Sequence, residues 1–359
     1  MFEKLGGKKL LVYQTDRLKE NAKEPTQLDI ERIIDQRSYH RTSQQKEQLR
    51  WLEAGEEGER IVFNYLEKYG KEDWVVIRNL WMNNGGPFEA DFILLTNHGS
   101  YLLEVKNYTS DFIYEEGIVS FNEHKNSGNP IFQTRRNTIN LENICLRSPN
   151  HGPVQGALIL VGADNYTEIN SRIDDIDIVD RTQLRHYIQQ IVGKDHSIEG
   201  ESFNKKYLIR QFERFEINRY HGPNPVSKET INHLKKGIQC PHCKSFYKKT
   251  NQKIIQCTCG FMEEREIAVL RTICEYGVLN FTENLKIGEL VNFLGGAISR
   301  GSLRKILRKY FQEVRNGRYT YYINLKLPIY KLYKRLNINN FVQIKMSYQD
   351  YDKMTWSIN

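Results

Sequence analysis

The sequence predicts a mixed α/β domain, a compact cysteine module and a basic helical region, in that order. Helical and strand-like patterns alternate between residues 51 and 195, which is typical of a sheet flanked by helices. Four of the six cysteines fall within residues 240–259, and three helical patterns followed by a hairpin pattern occupy residues 263–326. At about 150 residues per domain, the chain of 359 residues has room for two or three domains.

The composition indicates a soluble protein that favours a polyanionic partner. Hydrophobic residues make up 39% of the chain and charged residues 27%, with a mean hydropathy of −0.62. No apolar run approaches the roughly 18 residues of a membrane span, and the start, MFEKLGGKKLLVY, lacks the apolar core of a signal peptide. We therefore expect a cytoplasmic protein with no membrane partner. A net charge of +8 and a pI near 9.0 favour nucleic acid, with a merely lysine-rich surface as the alternative.

The elements of the α/β domain are read in order from their periodicity. Residues 1–50 are polar with sparse apolar positions, so we expect a solvated helical lead-in. The pattern changes at Trp51, and WLEAGEEGERIVFNYLEKY predicts an amphipathic helix of about 15 residues that begins near Gly55. The patterns after it are strands at WVVIRNLWM, DFILLT and YLLEVKNY, a hairpin at DFIYEEGIVSFN, a helix at 129–146, a strand at VQGALILVGA and a helix at RTQLRHYIQQIV. The domain is therefore expected to span residues 51–195.

The remaining sequence predicts a connector and smaller modules. Residues 196–236 are polar and end in the turn-rich YHGPNPVSKET, so they are interpreted as a connector. The cysteine module occupies 237–262 and the helical region 263–326, whose hairpin is predicted to turn at Asn316-Gly317. The tail, residues 327–359, is aromatic and partly basic and receives no assignment.

Charged residues at the ends of two apolar runs in EADFILLTNHGSYLLEVKN indicate a site. If DFILLT and YLLEVK pair around the loop Asn97–Ser100, Asp91 lies opposite Lys106, and Glu104 shares a face with Lys106. Two carboxylates held together repel unless a cation lies between them, and their oxygens suit Mg²⁺ or Mn²⁺. A lysine beside that ion can orient or deprotonate an attacking water. The alternative is an ordinary salt bridge at a strand end, which contributes little energy.

Three motifs in this order resemble a known family. AGEEGE at residues 54–59, EADFILL and LLEVKN are similar to the signatures of the NERD, or nuclease-related, domain, a branch of the PD-(D/E)xK nuclease superfamily. The resemblance covers roughly residues 50–165 and implies a restriction-endonuclease-like fold, in which helices flank a mixed sheet, with metal-dependent nuclease activity. The proline that usually precedes the metal-binding aspartate is absent, because Glu89-Ala90 stand before Asp91.

The resemblance also implies roles for individual residues. Asp91 and Glu104 would ligate Mg²⁺ or Mn²⁺, and Lys106 would serve the attacking water. Glu59 matches the acid that often completes this site, and Gln133 matches a glutamine in the helix after the core sheet. AGEEGE also has a structural explanation, since its glycines allow close helix approach and its acids favour a helix N-terminus.

The cysteine module has the spacing of a zinc ribbon. Cys240 and Cys243 form a CxxC pair, and after thirteen intervening residues Cys257 and Cys259 form a tighter CxC pair. Two thiolate pairs on tight turns suit tetrahedral Zn²⁺, which would serve structure first. His242 is an alternative ligand, and reduced core cysteines are the alternative to a metal site. A basic and aromatic side formed by Lys244, Phe246, Tyr247, Lys248 and Lys249 could contact nucleic acid or dock a protein.

The basic helical region resembles a winged helix, a variant of the helix-turn-helix. SRGSLRKILRKYF would be its recognition helix, with Ser299 as N-cap. Five cations lie on the predicted outer face and are expected to contact nucleic acid: Arg300, Arg304, Lys305, Arg308 and Lys309. Arg315, Arg318 and several tyrosines would line the wing. The competing interpretation is a small protein-binding module with a solvated basic face.

Together these features predict a metal-dependent deoxyribonuclease whose C-terminal modules position it on DNA, with RNA not excluded as substrate. DNA processing or defence against foreign DNA in a bacterium would fit such an architecture. One alternative is a non-catalytic DNA-binding or regulatory protein. Another is a nuclease subunit that needs a helicase or other partner, since the chain has no GxxxxGK[ST] phosphate loop. The sequence leaves open endo- or exonuclease action, strand and sequence preference, and oligomeric state.

Overall fold

A computed structural model describes most of the chain. The described residues are 2–3, 10–21, 24–121, 128–163, 166–196, 204–218, 222–248, 250, 253–317, 319–323 and 329–338. The chain forms two compact units: the first comprises residues 1–21 and 50–221, and the second comprises 22–49 and 222–359. Arg318, Lys249 and most of the predicted tail lie outside the described residues.

The elements are numbered in chain order. The strands are β1 (Phe2–Glu3), β2 (Leu11–Tyr13), β3 (Val75–Asn83), β4 (Pro87–Leu95), β5 (Ser100–Lys106), β6 (Phe112–Glu115), β7 (Ile118–Phe121), β8 (Val154–Leu160), β9 (Thr167–Ile169), β10 (Ile176–Asp180), β11 (Ile254–Gln256), β12 (Met262–Glu264), β13 (Gln312–Asn316) and β14 (Tyr319–Ile323). The helices are α1 (Asp16–Asn21), α2 (Gln27–Arg37), α3 (Ser43–Tyr69), α4 (Pro130–Cys145), α5 (Leu184–His196), α6 (Lys205–Phe215), α7 (Lys228–His233), α8 (Arg265–Leu279), α9 (Ile287–Phe293), α10 (Arg300–Tyr310) and α11 (Ile329–Ile338).

A mixed sheet forms the centre of the first unit, as the sequence predicts. Its order is β1-β2-β3-β4-β5-β8-β10, with β3, β4 and β5 as an antiparallel meander and β5, β8 and β10 parallel. Apolar residues of α3 and α5 pack on one face of the sheet, and those of α4 and α6 pack on the other. A smaller sheet, β7-β6-β9, adjoins the start of α4, where Asn129 donates to the Gly117 carbonyl. The predicted α/β fold is therefore confirmed.

The predicted register of the β4–β5 hairpin is wrong by two residues. The observed partners are Phe92 with Leu103 and Leu94 with Tyr101, and the Thr96 amide donates to the Gly99 carbonyl at 3.0 Å. The turn is tighter than expected because the Thr96 hydroxyl accepts from two amides of the loop, those of His98 and Gly99. A shift of two residues preserves which face each side chain occupies, whereas a shift of one would reverse it.

The expected connector and lead-in contain packed elements. Within residues 196–236, α6 buries Leu208, Ile209 and Phe212 against the sheet. Within residues 1–50, α2 buries Ile30 and Ile33 in the core of the second unit. Both helices are short and polar on average, so their few apolar side chains did not stand out from the polar sequence around them. Neither segment is therefore simply solvated.

The second unit is built around α8, which is buried along most of its length. The helices α8, α9 and α10 are followed by the β13–β14 hairpin, and Leu285, between α8 and α9, forms an isolated bridge with Tyr322 of β14. This order of elements is the one expected from the sequence. Among the described residues, no helix is long and apolar enough to cross a membrane.

Candidate active site

The strand ladder is interrupted at Asp91. On β3 and β4 the paired residues include Arg78 with Phe92 and Leu80 with Ala90, whereas Asn79 and Asp91 between them do not pair. Asn79 has a φ of 53°, a left-handed conformation that asparagine tolerates better than most residues. The Asp91 carboxylate then accepts a hydrogen bond from the Val105 amide of β5 at 2.8 Å. The interruption thus turns the Asp91 side chain toward β5, where backbone groups fix it.

Glu104 is the most enclosed acid of the site and is contacted from three directions. Its side chain is buried, and its Oε1 accepts from the Lys106 ammonium at 2.8 Å and from the Gln133 amide at 2.5 Å. The Asn137 amide donates to the Glu89 carbonyl at 3.0 Å and also lies 3.5 Å from Glu104 Oε2. Two side chains one turn apart on α4 therefore hold a carboxylate of β5.

The helix α4 is positioned for these contacts by its start and by a glycine of the sheet. Asn129 caps the helix, since its side chain accepts from the Ile131 and Phe132 amides, and Pro130 occupies the first turn. A Cβ on Gly156 of β8 would lie 2.0 Å from the Thr138 hydroxyl. Only glycine lets α4 approach the sheet this closely, which brings Gln133 and Asn137 within reach of Glu104.

The electrostatics of the site couple two acids and a lysine. Burial, followed by the nearby Glu104 carboxylate, raises the pKa of Asp91 well above its usual value, although Lys106 and the Val105 amide oppose the shift. Burial would lower the pKa of Lys106, but the Glu104 and Asp91 carboxylates raise it. A buried carboxylate whose negative charge is destabilised by a second carboxylate favours a bound cation. The donor set therefore fits a divalent ion that prefers oxygen ligands.

Glu59 lies close to the site but has a partner of its own. Its carboxylate pairs with Arg78 at 3.3 Å, and the Arg78 guanidinium lies over the rings of Phe63 and Phe92. Burial raises the pKa of Glu59 against the opposing effect of Arg78, and the charge of Glu59 also contributes to the raised pKa of Asp91. In the described chain, the acids Asp91, Glu104 and Glu59 do not converge closely enough to form a three-carboxylate group around one ion.

The two glycines of AGEEGE have different surroundings. A Cβ on Gly58 would lie 3.0–3.3 Å from atoms of Asn107, Val161 and Val105, so this glycine permits close approach of α3 to the sheet. A Cβ on Gly55 would have nothing within 4 Å. Close approach thus accounts for one glycine of the motif.

Sequence reasoning missed two residues of this region, Asn137 and Arg78. Asn137 lies four residues after Gln133, so the same helix face was available as a signal once Gln133 was considered. Arg78 gave no such signal, because an arginine within an apolar strand pattern resembles an outward-facing residue.

The comparisons with known proteins agree with this geometry. Residues 54–161 match the family model of the nuclease-related domain, NERD. The matched region begins on α3, includes β3 to β5 and α4, and ends just after β8, so it contains every side chain of the candidate site. Over these residues the chain is similar to nuclease-related domains. No curated protein and no solved structure gave a significant match.

The four clustered cysteines form a second candidate site, in the other unit. The sulfurs of Cys240, Cys243, Cys257 and Cys259 all lie within 4.8 Å of one another, with Cys240 to Cys259 at 3.8 Å and Cys243 to Cys257 at 3.5 Å. Sulfurs at about 2.3 Å from a tetrahedral ion would be about 3.8 Å apart, so the spacing fits one metal ion. Hydrogen bonds to Ser245 lower the pKa of Cys243 to about 6, which favours the thiolate. The ring of His242 stacks on Phe261.

Of the basic aromatic side expected for this module, Lys244 and Lys248 are exposed, whereas Phe246 and Tyr247 are partly buried. Phe246 lies under the buried Arg37 guanidinium at 5.4 Å, and the Tyr247 hydroxyl donates to Glu263 at 2.7 Å. These rings are partly buried in the unit and cannot serve as a stacking platform. The exposed apolar side chains of the module are instead Ile254 and Met262 on β11 and β12.

The five cations expected to bind nucleic acid are exposed on α10, but their surroundings differ. Arg308 pairs with Glu313 at 2.5 Å, and Lys309 pairs with Glu266 at 2.5 Å. Arg300, Arg304 and Lys305 have no carboxylate partner among the described residues. Leu303, Ile306 and Leu307 occupy the opposite, buried face, as the pattern predicts. The outer face of α10 therefore carries three uncompensated cations toward its start.

Proposed function

We propose that the protein is a metal-dependent nuclease that hydrolyses phosphodiester bonds of DNA. The observation that carries the proposal is the convergence of Asp91, Glu104 and Lys106, with Gln133 on Glu104, inside a nuclease-related domain. Two neighbouring carboxylates can hold a metal ion that activates a water beside a phosphate, and the lysine lies next to them.

Asp91 and Glu104 would hold a Mg²⁺ or Mn²⁺ ion. When bound, such an ion polarises phosphoryl oxygens and makes a bound water more acidic. Lys106, already beside Glu104, can orient the attacking water and offset negative charge near the phosphorus. Gln133 and Asn137 fix the orientation of Glu104. Glu59 orients Arg78 and adds negative charge near Asp91.

The test uses the full chain and supercoiled plasmid, linear duplex and single-stranded DNA, each with Mg²⁺, Mn²⁺ or EDTA. We expect metal-dependent cleavage that Lys106→Ala and Asp91→Asn abolish while circular dichroism stays unchanged. Lys68→Ala, a change to a cation elsewhere on unit one, is the matched control and should cleave normally. Equal cleavage by Lys106→Ala would contradict the proposal, and DNA binding without any cleavage would favour the non-catalytic alternative or a subunit that needs a partner.

We further propose that the C-terminal unit binds Zn²⁺ and DNA. The cysteine spacing supports a structural zinc ion, and the helix order with the Leu285–Tyr322 bridge supports a winged-helix-like fold. The exposed cations at the start of α10 support contact with phosphates.

Elemental analysis should find one zinc per chain. Cys243→Ser should lower that content, whereas Cys145→Ala, in the other unit and outside the cluster, should retain it. A purified chain without zinc, or a Cys243→Ser protein with full zinc, would overturn the zinc proposal.

A further inference from the structure

We propose that the first unit has its own nucleic-acid contact, separate from the candidate active site and from α10. It consists of Lys206, Arg210 and Arg214 on α6, together with Arg147, and is called the α6 ridge. The inference rests on the proposed function only in that the ligand is taken to be a nucleic acid. The ridge would hold the phosphate backbone without reading bases.

The ridge is a continuous row because of helical spacing. Lys206, Arg210 and Arg214 are four residues apart, so they lie on one side of α6 about 6 Å apart along its axis. All three are exposed, whereas Leu208, Ile209 and Phe212 on the other side are buried. The row therefore spans about 12 Å, over which one strand of duplex DNA carries about three phosphates.

Arg147 adds a fourth cation near the end of α6. It is exposed in the turn after α4, and its guanidinium lies 4.8 Å above the ring of Phe215, the last residue of α6. Stacking on a ring fixes the guanidinium plane while leaving its hydrogen-bond donors free for an anion. Four exposed cations thus lie on α6 and in the turn after α4, and these two helices pack together.

Among the described residues these cations form no ion pair, whereas several other cations of the unit do, and the exposed Glu213 between Arg210 and Arg214 in the sequence instead accepts from the Tyr13 hydroxyl. Lys19 pairs with Asp16, Arg60 with Glu57 and Arg172 with Asp174. No residue of the α6 ridge forms a salt bridge with a carboxylate of the described part of the chain. Like charges four residues apart on a helix repel each other. A bound polyanion would reduce this electrostatic repulsion between the cations of the folded protein.

The burial of the apolar side of α6 favours nucleic acid over a lipid surface. A helix that binds membranes inserts its apolar side between lipids. Here that side contributes to the core with strands β3 and β4 and is unavailable. The exposed side chains of α6 are charged, apart from Tyr207.

The distance between the ridge and the candidate active site indicates the length of DNA that can contact both. Gln133, on Glu104, and Arg147 are fourteen residues apart along and just beyond α4, about 21 Å at helical rise. At about 3.4 Å per base pair, DNA that reaches both needs roughly six base pairs between them.

The test compares two triple variants of the full chain by fluorescence anisotropy with a labelled duplex in EDTA, across a range of salt. The ridge variant carries Lys206→Gln, Arg210→Gln and Arg214→Gln, and the control carries Lys19→Gln, Arg60→Gln and Arg172→Gln. Both lose three positive charges from the first unit, but the control removes cations that already have partners. We expect the slope of log K against log salt to fall by about 2–3 in the ridge variant and to stay nearly constant in the control.

An unchanged slope in the ridge variant, or an equal fall in both variants, would overturn the inference. Loss of binding to anionic phosphatidylserine vesicles with DNA binding intact would overturn it in favour of a lipid surface. Because binding is measured without divalent metal, a ridge effect in a protein that never cuts DNA would sustain the contact while the nuclease proposal failed.

Discussion

At the residue scale, Asn137 is the side chain whose importance the geometry reveals most directly. It links the Glu89 carbonyl of β4 to Glu104 of β5 and so ties the two acid-bearing strands to α4. We expect Asn137→Ala to lower cleavage or metal affinity by about 10–100-fold, the usual effect of losing a group that orients a ligand. The measurement is cleavage rate against Mg²⁺ concentration. Asn143→Ala, at an exposed position of the same helix, is the control, and equal rates for both variants would contradict this role.

A buried ion-pair network in the second unit makes its stability depend on pH. Glu275 accepts from Arg37 on α2 at 3.0 Å and lies 3.4 Å from Arg271 on its own helix. Burial would raise the pKa of Glu275, but the two guanidiniums outweigh it and lower the pKa. Because the folded-state pKa is lower than the unfolded one, the network stabilises fully above the unfolded pKa and loses this contribution as the pH falls through the folded pKa.

Glu275→Gln should therefore destabilise the unit by about 3–5 kcal/mol near neutral pH, the usual cost of removing one partner from a buried pair. The loss should shrink as the pH falls below the usual glutamate range and through the lowered folded-state pKa of Glu275, where the wild-type carboxylate also becomes protonated. Urea unfolding followed at several pH values measures this. The exposed Glu229→Gln serves as control, and a loss that does not depend on pH would argue against the pair.

The residues of the site were predictable to different degrees. Asp91, Glu104 and Lys106 could be grouped because strand parity survives a register error of two residues, although the pairing itself could not be derived. The interruption at Asn79 depends on a backbone conformation that no local pattern announced. The pairing of Arg308 and Lys309 with acids was equally hidden, because Glu266 is distant in sequence from Lys309.

At the scale of elements, the contact between α4 and β8 gives a sharp test of packing. A methyl group on Gly156 would overlap the Thr138 hydroxyl, so Gly156→Ala should destabilise the first unit by about 1–3 kcal/mol or more. Gly55→Ala, on the exposed side of α3 with open space around it, should instead stabilise by up to about 1 kcal/mol. Thermal unfolding of the two variants compares them, and shifts of the same sign would contradict the packing argument.

Elements with a long apolar run or a clear capping signal were the predictable ones. The meander β3–β5 and the strand β8 have apolar runs, the helix α4 begins at Asn129-Pro130, and each is found where expected. Helices α2 and α6 were harder, because each is 11 residues long and contributes only a few side chains to a core assembled from distant sequence. Their partners on α8 and β3 could not be read from local periodicity.

At the scale of the whole molecule, the first fifty residues contribute to both units. Strand β2 pairs with β3 in the first unit, and α2 packs on α8 in the second. A chain starting at residue 50, near the boundary predicted from sequence, should therefore lose stability in both. Hydrogen exchange should show faster exchange in β3 and α8 of this truncated protein. A chain starting at residue 22 should lose protection in β3 alone, and unchanged protection of α8 in the shorter protein would refute the role of α2.

The order of the units along the chain has a consequence for cleavage by proteases. The chain passes from one unit to the other three times, after residues 21, 49 and 221. A single cut by a protease therefore need not separate the two fragments of the chain. After a cut between residues 221 and 222, the larger fragment still contributes α2 to the core completed by the smaller one. The two fragments should elute together in gel filtration under native conditions and separate only in denaturant. In a protein whose domains follow one another along the chain, the same cut would release one domain from the other.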